Sequence, residues 1–244
     1  MDAPTPGAGG ATAPAAVARS ERPPVLVCLH GLSGSSRWWA ATRPRLEEGG
    51  PVVVLDAPRS LRPDEVPHWV AEELEALEPP VDLAGHSLGG LVCARVASLR
   101  PDLVRRLVLV APAGIAARGP ATYAWPLVRT LAASRPAHLA TLTADALRAG
   151  PWNILRGGLH VCAPGSAGDL AGIEAPTLLV WGARDRLVPP TEGHVWKERL
   201  AGSRLVVLPD AGHVPMLEAP DDLGALIAAF REERLDENGH FGGM

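Results

Sequence analysis

Six short apolar runs recur along the chain: VLVCLHG (25–31), VVVLDAP (52–58), VDLAGHS (81–87), LVLVAPAG (107–114), TLLVWGARD (177–185) and RLVVLPDAGH (204–213). Each holds four to six apolar residues, rich in Val and Leu, and stops at Gly, Pro or a polar residue. Consecutive apolar positions make both faces of a strand apolar, so such strands need cover on both sides. Between the runs the apolar positions take helical spacing. Residues 65–78 carry Val66, Val70, Leu74 and Leu77, with Pro67 near the start. Residues 88–99 place Leu91, Val92, Val96 and Leu99 similarly, before Pro101. Residues 191–200 and 220–234 read the same way, the second with a stripe of Leu223, Ile227 and Phe230.

Strands alternating with helices predict an α/β fold: a mostly parallel, doubly wound sheet with helices on both faces. Residues 113–172 break the alternation. They hold helix-like pieces at 123–134 and 137–149, then GPWNILRGG and a loose CAPGSAGDLAG, and read as a helical cap inserted between two sheet strands. The predicted organisation is a flexible leader (1–24), a core in two parts (25–112 and 173–234), the cap (113–172) and a polar tail (235–244).

Composition narrows the function. The chain has 244 residues and is 47% hydrophobic, enough for one domain with a sizeable core. Its net charge is −4 without a dense basic run, which argues against a nucleic-acid partner. No apolar stretch reaches the length of a membrane span, and no secretory signal is visible. Cys28, Cys93 and Cys162 are widely spaced and odd in number, which predicts neither a zinc site nor a disulfide framework and fits a reducing cytoplasm. Arginine outnumbers lysine 22 to one, and with the Ala, Gly and Pro richness this reflects genome bias rather than function.

In an open parallel sheet, ligands meet the carboxyl ends of the strands. Ser87 follows one such end in Gly85-His86-Ser87-Leu88-Gly89 and precedes a predicted helix. A serine in this setting sits on a strained turn that presents its hydroxyl alone, with small residues needed two positions either side. A hydroxyl is a weak nucleophile at neutral pH and needs a base. His213, at the end of the last run, is the candidate. Asp185, at the end of the fifth, would hold the imidazole tautomer and stabilise its cation. Asp56 and Asp210 also lie near strand ends and compete for that role; Asp210 fits a turn-shaping role better.

The stretches LVCLHGLSGSSRWW, VDLAGHSLGGLVCARVA, LLVWGARDRLVPP and LPDAGHVPMLEAP resemble the α/β-hydrolase superfamily, in its compact esterase/haloperoxidase-like branch. The resemblance covers roughly residues 25–112 and 173–234. It implies Ser87 as nucleophile, Asp185 as triad acid, His213 as base, and the backbone N–H groups of Leu32 and Leu88 as the oxyanion hole. Two features depart from the family pattern. Asp56-Ala57-Pro58-Arg59-Ser60 stands where many relatives carry a Gly-rich loop. Relatives also begin with two antiparallel strands, whereas the positions here are Ala/Pro/Gly-rich, which points to one or both of those strands being missing.

His30, Trp38, His86, Trp125 and Trp152 are the candidates for the substrate pocket. His30 also fits a support for the loop after the first strand, and His86 a role behind the nucleophile. Packing competes with substrate contact for all three tryptophans. The expected activity is hydrolysis of an ester-type bond in a small or medium apolar acyl compound through an acyl-enzyme, without metal or organic cofactor. A thioesterase acting on an acyl-carrier or coenzyme A thioester, or a non-hydrolytic lyase or cyclase on the same scaffold, is the alternative.

Overall fold

A computed structural model describes residues 23–116, 119 and 121–236. The leader reading, and the question of the two opening strands, fall largely on residues 1–22 and lie outside the described residues, as does most of the polar tail.

The apolar runs form six strands: β1 (Leu26–Leu29), β2 (Val52–Leu55), β3 (Val81–His86), β4 (Val104–Val110), β5 (Thr177–Gly182) and β6 (Arg204–Leu208). All neighbouring pairs are parallel, in the order β2-β1-β3-β4-β5-β6. The helices are α1 (Arg43–Glu47), α2 (Val66–Glu75), α3 (Leu88–Leu99), α4 (Ala121–Ala133), α5 (Pro136–Ala149), α6 (Pro151–Cys162), α7 (Pro190–Arg199), α8 (Pro215–Glu218) and α9 (Pro220–Arg231).

Alternate strand residues feed two separate cores, which is why the runs are apolar throughout. Leu83, Leu107, Leu109, Leu179 and Trp181 face one side, packing with Val70 and Leu74 of α2, Leu91 and Val96 of α3 and Trp196 of α7. Leu26, Cys28, Val108, Val110 and Val180 face the other, against Leu46 of α1 and Leu223, Ile227 and Phe230 of α9.

Seven of the helices carry Pro at their first or second position. There the missing N–H costs nothing and the fixed φ favours the first turn. Seven of the 25 prolines therefore start these helices.

Helices α4–α6 lie between β4 and β5 and fit a cap. Helix α6 was not legible in the sequence, because Gly157-Gly158 weakens its helical signal. Packing supplies the reason for the first glycine: a Cβ at Gly157 would sit 2.5 Å from a Leu32 methyl.

Strand order fixes where a site can form. The chain reverses direction of growth at β1, so the loops after β1 and β3 open side by side at the carboxyl edge. Leu29 pairs with Gly85 in register, which sets His30-Gly31-Leu32 beside His86-Ser87-Leu88. Strands β5 and β6, also neighbours, deliver Asp185 and His213 to the same edge.

Candidate active site

Ser87 occupies the turn between β3 and α3 with φ 51° and ψ −116°. A left-handed φ is costly for a residue with a Cβ and persists only where the surroundings enforce it. Here they do. A Cβ at Gly85 would meet the Gly89 carbonyl oxygen at 2.4 Å, and one at Gly89 would meet the His30 carbonyl oxygen at the same distance. Both flanking glycines are thus required by close backbone approach. Ser87 precedes α3 but makes no capping hydrogen bond with its side chain. Its hydroxyl instead lies 3.2 Å from His213 Nε2.

His213 Nδ1–H donates to Asp185 Oδ2 at 2.8 Å. The other Asp185 oxygen accepts from the backbone N–H groups of Leu187 and Val188, each at 2.9 Å, so the carboxylate is held at both ends. The loop bearing His213 is fixed by Glu218, which accepts from the N–H groups of Gly212 at 2.5 Å and Val214 at 3.1 Å. Gly182 and Gly212 allow the two loops to meet, since a Cβ at Gly182 would lie 2.1 Å from the Gly212 carbonyl oxygen. Ser87, Asp185 and His213 are all buried. Burial pushes the His213 pKa down, but the Asp185 charge and hydrogen bond outweigh it and leave the pKa raised.

The structure separates the three carboxylates at strand ends. Asp56 accepts from Ser36 N–H at 2.7 Å and lies 3.2 Å from His30 Nε2, which holds its pKa down at about 2 through the His30 hydrogen bond. Asp210 pairs with Arg184 in solvent. Asp185 alone of the three reaches His213.

His30 Nδ1–H donates to the Gly31 carbonyl at 2.8 Å and so braces the loop after β1. A Cβ at Gly31 would sit 3.1 Å from Ser87 Cβ, which places this loop directly against the Ser87 turn. Leu88 is the first residue of α3, where an N–H has no partner within the helix. His86 Nε2–H donates to the His213 carbonyl at 2.8 Å, and its ring stands 4.9 Å from that of His213 and 5.7 Å from Trp38. Burial, with the nearby His213, drives the His86 pKa well down, so this ring stays neutral.

A cavity of about 260 Å³ lies beside this loop, lined among others by Leu32, Leu88, Leu55, Val66 and Arg156. A second, of about 190 Å³, opens on His213 between Arg135, His138 and Arg186. Of the five pocket candidates, only His30 lines either cavity. Trp38 is buried, with its indole N–H bonded to Asp145 at 2.9 Å. Trp125 and Trp152 are about two-thirds exposed on the outside of α4 and α6. The exposed faces of those helices also carry apolar side chains, among them Leu127, Val128, Leu155 and Leu159, so an apolar residue of α4 or α6 need not line a pocket. Asp145 is inconspicuous in the sequence. Its one available signal is being the single acidic residue between Gly114 and Cys162.

Residues 26–226 match the family described as the alpha/beta hydrolase family. The chain is 31% identical over 242 residues to the pimeloyl-[acyl-carrier protein] methyl ester esterase of Neisseria meningitidis serogroup A, covering 86% of this chain and 77% of that protein. Its fold is similar to the crystal structure of a membrane phospholipase A, a bacterial virulence factor. The TM-score there is 0.72 at 27% identity, covering 88% of this chain and 80% of the other. It is also similar to the enol-lactonase from Burkholderia xenovorans LB400, with a TM-score of 0.74 at 19% identity, 87% and 92% being covered. No helix among the described residues is long and apolar enough to cross a membrane.

Proposed function

The chain belongs to the alpha/beta hydrolase family, and from that premise we propose that it is a serine esterase working through Ser87, His213 and Asp185. The observation that carries this reading is the unbroken hydrogen-bonded series from the Ser87 hydroxyl through the His213 ring to a doubly anchored Asp185 carboxylate. Ser87 Oγ attacks the ester carbonyl carbon while His213 Nε2 takes its proton. The carbonyl oxygen gains negative charge and accepts from the N–H groups of Leu32 and Leu88, donors that need no rearrangement as charge develops. The carbonyl-to-alcohol bond then breaks, and the alcohol leaves with the proton held by His213. Water gives a proton to His213 and attacks the acyl carbon; Ser87 recovers its proton as the free acid departs. Asp185 stays ionised throughout and stabilises the imidazolium.

An ester borne on an acyl carrier is the substrate form that the Neisseria relative favours, since that protein's name specifies such an ester. A thioester would use the same residues. The test is a panel of nitrophenyl esters and acyl thioesters of increasing chain length. Turnover of esters above thioesters supports the reading, the reverse order favours a thioesterase, and no turnover of any member by folded protein contradicts both.

A further inference from the structure

Among the described residues of α4–α6, three are buried: Asp145, Gly157 and Val161. Asp145 is the charged one, on α5, with its carboxylate fully removed from solvent. An ionised carboxylate in that setting must be paired and hydrogen-bonded. Its donors come chiefly from the segment that follows the loop after β1. Ser35 Oγ–H and Trp38 Nε1–H both donate to Oδ2 at 2.9 Å, Arg37 bridges to Oδ1, and Arg148 of α5 adds a contact at 3.3 Å. Three of these four donors belong to the core, so one cap carboxylate gathers the segment that begins directly beyond Leu32-Ser33-Gly34.

Trp38 carries the connection inward. With its N–H held by Asp145, its ring is fixed beside His86 at 5.7 Å between centroids. His86 in turn holds the His213 main-chain carbonyl at 2.8 Å. The same segment bears the loop whose Gly31 lies against Ser87.

We propose that Asp145 is a positioning residue: seated in its four donors, it locks the cap onto the core and sets the placement of both the Leu32 loop and His213. This rests on the hydrolase reading above. A carboxylate that only holds the cap in place would, when removed, change access for large substrates. One that positions the reacting groups would slow chemistry even for a probe too small to need the cap.

The experiment is the second-order rate of Ser87 labelling by a small dialkyl fluorophosphate, with kcat and KM for a short nitrophenyl ester measured beside it. Wild type is compared with Asp145→Asn, Asp145→Ala and Trp38→Phe. Misplacement of reacting groups by a fraction of an ångström commonly costs about tenfold or more. Asp145→Ala is expected to slow labelling and lower kcat by about that factor, with KM changed less than about twofold. Asp145→Asn retains one acceptor oxygen and should recover part of the rate. Trp38→Phe keeps a ring against His86 but lacks the N–H; it should also slow labelling, and it serves where Asp145→Ala does not fold. Unchanged labelling in folded Asp145→Ala and Trp38→Phe, or an effect confined to KM, overturns the inference and leaves the hydrolase reading intact. Wild type that neither labels nor turns over overturns both.

Discussion

His213 Nε2 lies 3.2 Å from Ser87 Oγ, although the two residues are 126 positions apart in the chain. Strand order accounts for the meeting: β3, which leads into Ser87, and β6, which leads to His213, discharge at the same edge of one parallel sheet. The hydrogen bond is then aimed by Asp185 from behind.

Replacing Asp185 by Asn tests that aim. Asp185 Oδ1 accepts two backbone N–H groups, so an Asn carbonyl would take that place and turn its NH2 toward His213 Nδ1. His213 would then carry its proton on Nε2, facing Ser87, and could not act as base. A loss of about 10³–10⁴ in kcat is expected. Asp210→Asn, at an exposed ion pair, should stay within about twofold. Steady-state kinetics on both variants check the assignment; comparable losses would contradict it.

The pH profile follows from the raised His213 pKa. The base must be neutral, so kcat/KM should rise with pH through a half-point above the ordinary imidazole value of 6.5. His86 stays neutral across this range and adds no second limb. The same shift has a stability consequence of opposite sense. A pKa raised on folding stabilises the native state below the unfolded pKa, and that gain is lost as pH rises through the folded value. A half-point at or below 6.5 would contradict the Asp185–His213 coupling.

Gly182→Ala should separate Asp185 from His213. The added methyl would lie 2.1 Å from the Gly212 carbonyl oxygen and 2.4 Å from that of Ala211, both backbone atoms that cannot turn aside. The β5 and β6 loops must part, taking Asp185 from His213. A stability loss of about 1–3 kcal/mol, measured by urea unfolding, should accompany a loss of activity.

A stability change without a catalytic one is expected at Asp82. This buried carboxylate accepts from Arg231 Nε at 2.8 Å and Arg105 Nη2 at 2.6 Å, at the end of the sheet away from the site. Arg231 also donates to the carbonyls of Leu46 and Pro24, tying α9 to the start of β1. Asp82→Ala leaves a buried guanidinium uncompensated and should cost about 3–5 kcal/mol. Urea unfolding reads that loss, while kcat of the folded fraction should change by less than about twofold.

The strands were legible because sheet burial on two faces writes an uninterrupted apolar run, as at Leu107–Val110. Ser87, Asp185 and His213, the residues proposed to act together, stood out because they follow strand ends, where Gly85 and Gly212 mark tight backbone. What the sequence concealed was set by tertiary contact. Helix α6 carries within it a glycine, Gly157, that makes room for Leu32. Trp125 and Trp152 share their helices with both inward and outward apolar residues, so composition could not say which way they face. Asp145 reads as one more polar residue on an amphipathic helix until its four donors are assembled around it.

Whether Ser87 is the nucleophile is read most directly by peptide mapping by mass spectrometry after treatment with a fluorophosphonate, with ester turnover followed on the same samples. One covalent adduct is expected, on Ser87, formed in step with complete loss of turnover. Ser87→Ala should fold as wild type, take no label there and lack turnover. Full turnover by Ser87→Ala, or label that settles elsewhere while Ser87 stays free, would contradict that role.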